Sequence, residues 1–278
     1  MALESLPSLS ETVKTHGLGA NKKLGQHFLL DMNLTDKIAR LAEPLDGVSV
    51  AEIGPGPGGL TRALLQRGAA KLTAIEMDER FIPALAEIGD LAGGRLEIAQ
   101  GDALKFNIAE NLTAPRKIVA NLPYNVGTKM LINWVSASPI FWEQMVLMFQ
   151  LEVAQRVVAQ AGDNHYGRLA ILCQSVAQCR LAFEVPARLF SPPPKVDSAV
   201  VVLDPLDNPY PNLKALGRVT QAAFGQRRKM LRRSLRSLAL QENLVLEDWL
   251  GAANVDPQSR PETLPISAFQ ALADKITA

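Results

Sequence analysis

Apolar positions along the first three quarters of the chain switch repeatedly between a period near 3.6 and short unbroken runs, the signature of helices alternating with buried strands. NLTDKIARLAEPL (33–45) has helical spacing and ends at Pro44. VSVAEI (48–53) is a β-branched apolar run and predicts a buried strand, followed by a helix over LTRALLQRG that stops at Gly68. The alternation continues with a strand at LTAIE (72–76), a helix at DERFIPALAEI, strands at LEIAQGD (96–102) and KIVAN (117–121), and a helix at KMLINWVS. QMVLMFQ (144–150) is a further strand, EVAQRVVAQ and RLAILCQSVAQ read as helices, and RLAFEV (180–185) and AVVVL (199–203) as strands. Such alternation predicts a mainly parallel sheet covered on both faces, with strand tips and ligands along one edge.

The pattern changes at DPLDNPYPNL (204–213), whose three prolines make a linker. Beyond it only helical periodicity remains, interrupted by NVDPQSRPETLP. The expected division is therefore an α/β domain over residues 1–206 and a small all-helical domain over 207–278. The first twenty residues, MALESLPSLSETVKTHGLGA, carry acids and no apolar block, and read as a flexible arm rather than a secretory signal.

Composition adds bounds. With 278 residues, 47% hydrophobic and 21% charged, the chain reads as a globular protein of one large or two unequal domains. No apolar run approaches the roughly 20 residues that span a bilayer, so no membrane partner is expected. Cys173 and Cys179 lack a partner motif and read as reduced thiols of a cytoplasmic protein. His16, His27 and His165 are scattered singly, so no metal is expected. No exposed apolar seam is visible, and a monomer is expected. Net charge is +1, unevenly spread: from residue 205 onward ten Lys/Arg face seven Asp/Glu (+3), leaving 19 against 21 (−2) before it.

EIGPGPGGLT (52–61) joins a predicted strand to a predicted helix, and Gly54, Gly56 and Gly59 fit G-x-G-x-x-G. Glycine there permits a sharp turn and close approach to bare backbone. Glu76 follows about 20 residues on, at the end of the next strand, where a carboxylate can take both hydroxyls of a ribose. NAD and S-adenosylmethionine both fit so far. Pro55 and Pro57 tilt the choice, because they remove N–H donors that a pyrophosphate needs and S-adenosylmethionine does not. Asp102, at the tip of the third of these strands, reads either as an acceptor for the adenine amino group of the cofactor or as a cap for the next turn.

KIVANLPYN (117–125) is a strand that ends in an amide, a fixed bend and an aromatic ring. An exocyclic amino group on adenine is a weak nucleophile, because its lone pair is spread into the ring. Acceptors on its hydrogens localise that pair, and the Asn121 side-chain oxygen and the Leu122 carbonyl are placed to accept. Pro123 restricts Leu122 to extended geometry and aims that carbonyl. Tyr124 offers a stacking face. As a methyl moves from sulfur to nitrogen, oxygens and a π-face stabilise the cation where it develops.

Together LGQHFL (24–29), EIGPGPGGLT, IEMD (75–78), GDAL (101–104), NLPYN, FSPPPKVDSAVV (190–201) and AFGQRRKMLRRSL (223–235) resemble, in order and over nearly the whole chain, the ribosomal RNA adenine N6-dimethyltransferases, specifically the bacterial type acting on small-subunit RNA. The resemblance implies a Rossmann-like class I S-adenosylmethionine-dependent methyltransferase fold with a smaller helical C-terminal domain. It implies dimethylation of two adjacent adenines in a hairpin loop near the 3′ end of 16S ribosomal RNA within an immature small subunit. Large-subunit RNA, or a binding role without catalysis, are the alternatives. It also implies cofactor contacts at His27, Leu29, Gly54, Gly56, Glu76, Asp102 and Asn121. His27 stands where the family commonly has Asn, so its contact stays open between cofactor and helix cap.

Two further segments are candidates for holding RNA. FSPPPKVDSAV is stiffened by three prolines, and Phe190 reads either as a stacking wall or as core. QRRKMLRRSLRSL (226–238) places Leu231, Leu235 and Leu238 on one helical face. Arg227, Arg228, Lys229, Arg232, Arg233 and Arg236 supply six cations in ten residues, with no acid from 226 to 241 to neutralise them. Phosphate binding is the favoured reading. Lys22 and Lys23 are additional candidates.

Overall fold

A computed structural model describes residues 2–20, 26–226 and 229–276. After a 3-10 turn at Ala2–Ser5 come α1 (Leu9–Thr15), β1 (Phe28–Leu29), α2 (Met32–Leu41), β2 (Ser49–Ile53), α3 (Gly59–Gln66), β3 (Lys71–Glu76) and α4 (Ile82–Leu91). Then follow β4 (Leu96–Gln100), α5 (Ile108–Asn111), β5 (Arg116–Asn121), α6 (Gly127–Val135), β6 (Gln144–Gln150), α7 (Leu151–Val158), α8 (Arg168–Gln174) and β7 (Ala177–Val185). The chain continues through β8 (Phe190–Ser191), β9 (Ser198–Pro205), α9 (Leu213–Phe224), α10 (Leu231–Ser234), α11 (Arg236–Gln241), α12 (Leu246–Ala252) and α13 (Ile266–Ala273).

Seven strands form one sheet in the order β4-β3-β2-β5-β6-β9-β7. Pairings from β4 through β6 are parallel, and β9 joins β6 antiparallel. Every residue of β2 is buried, as are Lys117–Ala120 of β5, which is why these strands read as unbroken apolar runs: helices cover both faces. Strand order runs outward from β2 in one direction through β3 and β4, and in the other through β5 and β6. The crevice between the carboxyl ends of β2 and β5 is thus the topological switch point, where ligands bind in open α/β sheets. Register places Ile53 of β2 opposite both Ile75 and Ala120, so Gly54, Glu76 and Asn121 leave the sheet at one level.

Several expectations are corrected. Residues 2–20 are not an arm. Ser8 and Glu11 form a reciprocal capping box that starts α1, and Leu9 (2% exposed) and Leu18 (1%) are buried. Arg62 of α3 donates to the Pro7 carbonyl (2.6 Å) and to Thr12 Oγ1 (3.1 Å), while His16 pairs with Glu87 of α4 at 3.1 Å. The helix expected over 168–178 ends at Gln174, and β7 begins at Ala177, where apolar and polar positions start to alternate. The basic segment is two short helices meeting at Leu235 rather than one; Arg227 and Arg228, like Lys22 and Lys23, lie outside the described residues.

Two compact units emerge. One comprises 1–130, 141–154 and 180–204, and the other 131–140, 155–179 and 205–278. The last crossing, at 204/205, falls beside the expected linker, but the second unit also takes in two earlier segments. Within that unit α8 and α13 pack on α9, and Tyr166 Oη donates to the Leu264 carbonyl at 3.0 Å. Side chains from before the linker are therefore part of the helical core, a long-range association that local periodicity does not carry.

Candidate active site

The glycine loop follows from its backbone. Gly54 and Gly56 have φ of +66° and +54°, a region costly for residues with a Cβ. Gly59 is required for a different reason: a Cβ there would lie 2.8 Å from Leu9 Cδ1 and 3.1 Å from the Leu29 carbonyl, so α1 and β1 both close against the start of α3.

A cavity of about 230 Å³ opens at the switch point. His27, Gly54, Gly56, Glu76, Asp102, Asn121, Leu122, Pro123 and Tyr124 all line it. Leu29 does not; it borders a smaller space of about 50 Å³ behind the glycine loop, shared with Glu52, Gly54, Gly56 and Asn121. Phe190 is core: it is 4% exposed, pairs with Leu29 across the β1–β8 ribbon and packs in the main apolar cluster, so its ring forms no wall for a base.

Glu76 ends β3 and is 6% exposed. Its two oxygens accept from the amides of Asp78 (2.8 Å) and Gly56 (3.1 Å), which fixes the carboxylate plane at the cavity wall and leaves lone pairs for a diol. Burial raises its pKa, and those two amides oppose the rise. Asp102 Oδ1 accepts from the Leu104 amide (2.9 Å), capping the turn, and the residue also lines the cavity. Asn121 is the last residue of β5; the Leu122 amide donates to the Met148 carbonyl at 3.3 Å, and the Gly127 amide to the Pro123 carbonyl at 2.9 Å, closing the turn. Tyr124 Oη lies 2.7 Å from Ser198 Oγ, and its ring stacks on His27 with centroids 5.6 Å apart.

The chain's residues fit an adenosine sulfonium cofactor. Bare backbone at Gly54 borders the cavity with open space where a Cβ would stand, Pro55 and Pro57 lack the N–H groups a phosphate would need, and the carboxylates of Glu76 and Asp102 line the same cavity.

Sequence reading missed three contributors. Asp78 is gripped bidentately by Arg80 (2.9 and 2.5 Å) and by Gln26 Nε2 (2.9 Å), and its pKa falls to about 2, chiefly through Arg80. It thus ties the segment just before β1 to the turn just after β3. Met77, 55% exposed at the end of β3, offers an apolar face to the cavity. Buried Glu52 accepts from Thr61 Oγ1 at 2.7 Å, and desolvation lifts its pKa to about 8. Only Met77 had a legible signal, as an apolar side chain just past a strand-end acid.

Among solved structures, a dimethyladenosine transferase from Plasmodium falciparum superposes with a TM-score of 0.75 at 28% identity, covering 88% of this chain and 96% of its own. The 23S rRNA methyltransferase ErmE does so at 0.67 and 26%, covering 90% and 99%. The fold is that of an S-adenosylmethionine-dependent methyltransferase. The family model described as ribosomal RNA adenine dimethylase matches residues 17–274. Two proteins named ribosomal RNA small subunit methyltransferase A are close in sequence: that of Sinorhizobium fredii, 55% identical over 98% of this chain and 91% of its own, and that of Maricaulis maris, 54% identical over 98% and 96%. The chain belongs to the ribosomal RNA adenine dimethylase family.

Proposed function

We propose that this protein methylates N6 of two adjacent adenines in a hairpin loop near the 3′ end of 16S ribosomal RNA, giving N6,N6-dimethyladenosines while the small ribosomal subunit is assembled in the cytoplasm. The observation that carries the reading is the convergence of Glu76, Asp102 and Asn121 on one cavity at the switch point. The names of its relatives support small-subunit RNA as the substrate.

S-adenosylmethionine, when bound, supplies a methyl group activated on a sulfonium. Glu76 holds the ribose hydroxyls and Asp102 the adenine edge, while Met77 packs on the ring. Asn121 Oδ1 and the Leu122 carbonyl accept the target amino hydrogens, localising the nitrogen lone pair; Tyr124 stacks on the base and stabilises the nascent cation. The proton leaves from a cationic nitrogen, so no strong base is required of the chain. Much of the rate comes from alignment.

Lys229, Arg232, Arg233 and Arg236 are exposed, whereas Leu231, Leu235 and Leu238 are buried. The nearest following acid, Glu242, is engaged by Arg218. These cations bind RNA phosphates, offsetting the few kcal/mol needed to unstack the target base. Likeness to ErmE keeps large-subunit RNA as a second reading. Incubating the protein with labelled cofactor and unmodified subunits of both sizes, then mapping modified adenines, decides. Adjacent dimethylated adenines near the small-subunit 3′ end are expected; label confined to the large subunit overturns the proposal.

A further inference from the structure

We infer that Ser198 is a positioning residue for methyl transfer, acting through Tyr124. The inference rests on the reading of Tyr124 as the platform for the target adenine.

The turn after Asn121 is closed through its backbone, yet the Tyr124 ring retains two side-chain torsions. A hydrogen bond at the far end of the ring removes that freedom. Ser198 Oγ makes it, at 2.7 Å, across 74 residues of sequence. Topology explains how it reaches. β9 is antiparallel to β6 and Ser198 is its first residue, paired with Gln150 at the end of β6. The start of β9 therefore lies at the same sheet edge as the tip of β5. Ser198 itself is wholly buried. Its neighbour Asp197 is pinned twice, its carboxylate accepting from the Ala187 amide (2.8 Å) and its carbonyl from the Leu151 amide (2.9 Å).

The ring face is braced from the same segment. His27 stacks on Tyr124 at an interplanar angle of 29°, and His27 Nδ1 lies 2.8 Å from the Pro192 carbonyl. A carbonyl only accepts, so Nδ1 carries the proton and the imidazole is held in one orientation. The proline-rich stretch that sequence suggests as a wall for the base thus bears on the site through the Pro192 carbonyl and the Ser198 hydroxyl. Tyr124 is half-buried; burial raises the pKa of its phenol and the Ser198 hydroxyl opposes the rise. Without its partner the hydroxyl is driven to turn toward solvent, taking the ring with it.

The test uses the full chain with S-adenosylmethionine and unmodified small subunits. Ser198→Ala, Tyr124→Phe and the double variant are compared in single-turnover rate and cofactor affinity. Thermal melting is followed alongside, as is quenching of 2-aminopurine placed at the target adenine of the RNA hairpin. Ser198→Ala is expected to slow transfer about tenfold and weaken the quenching, with cofactor Kd within about twofold of the parent. The double variant is expected to be no slower than the slower single variant, because both changes break the same hydrogen bond. Ser198→Thr, which keeps a hydroxyl, restores the quenching and covers the case in which Ser198→Ala folds poorly. Parental rate and quenching in Ser198→Ala, or losses that multiply in the double variant, overturn the inference. A Tyr124→Ala variant as fast as the parent overturns instead the platform reading beneath it; a slow Tyr124→Ala beside a normal Ser198→Ala overturns this inference alone.

Discussion

The cavity at the β2/β5 crevice and the basic stretch at 229–236 are built on opposite principles. Around the cavity the carboxylates and the phenol have assigned partners: Glu76 on two amides, Asp78 on Arg80 and Gln26, Tyr124 on Ser198. Strand ends in fixed register set these positions. In the basic stretch two helices of four and six residues hold Leu231 and Leu238 inward and leave Arg232, Arg233 and Arg236 in water, with Lys229 exposed just before them. Chemistry that depends on alignment has been given rigid elements; attraction to a polyanion needs only charge. Changes in the first region should therefore act abruptly, and those in the second gradually.

The sharpest contrast comes from Asn121→Ala. Removing an oxygen that acts mainly in the transition state should lower turnover about 10²- to 10³-fold. Cofactor affinity, measured by calorimetry, should hardly move. A fall confined to affinity would assign Asn121 to ground-state binding instead. Glu76→Ala should act the other way round. It removes two charge-assisted acceptors from a buried site and should weaken S-adenosylmethionine binding about 10- to 100-fold. Unchanged affinity would detach the ribose from β3.

Arg232→Gln, Arg233→Gln and Arg236→Gln combined should weaken RNA binding about tenfold near physiological salt. The slope of log K against log salt should become shallower by roughly 0.7–0.9 for each phosphate left without its cation. The rate at saturating RNA should stay close to the parent's. An unaltered slope would show that these cations face no phosphate. A further effect concerns stability alone. Glu52 has a folded pKa near 8, well above its ordinary value. Below the ordinary range the carboxyl is protonated in both states. Between that range and about pH 8 the unfolded chain sheds the proton and the folded one keeps it, so stability falls by at most about 1.4 kcal/mol per pH unit. Glu52→Gln should flatten this slope in denaturant titrations; identical slopes would mean that Glu52 ionises freely when folded.

Legibility in the sequence follows the same division. β2, β3 and β5 read directly, because strands buried on both faces leave continuous apolar runs, and their tip residues Gly54, Glu76 and Asn121 are one step beyond. Asp102 lies beyond β4, an edge strand of half-exposed and exposed residues, and was found from the Gly-Asp pair that ends the run rather than from a continuous apolar stretch. Phe190 was not, since an aromatic after a strand looks alike whether it faces core or ligand. The break of the basic segment at Leu235 hides because leucines at i, i+4 and i+7 suit one helix as well as two short ones. Ser198 had no local signal, for its meaning comes from an antiparallel strand returning to the β5 tip. Similarly, Ser8 and Glu11 spelled a helix start that the acidic, proline-containing surroundings of residues 2–20 obscured.

That N-terminal stretch bears on how the protein is handled at the bench. Shortening it to begin at Gln26 would remove both acceptors of the buried Arg62 guanidinium and lift Leu9 off the start of α3, directly behind the glycine loop. An affinity handle fused there would tug on the same groups. Expression vectors that trim or decorate this end would report the damage as feeble cofactor uptake, a fault of cloning rather than of the catalyst.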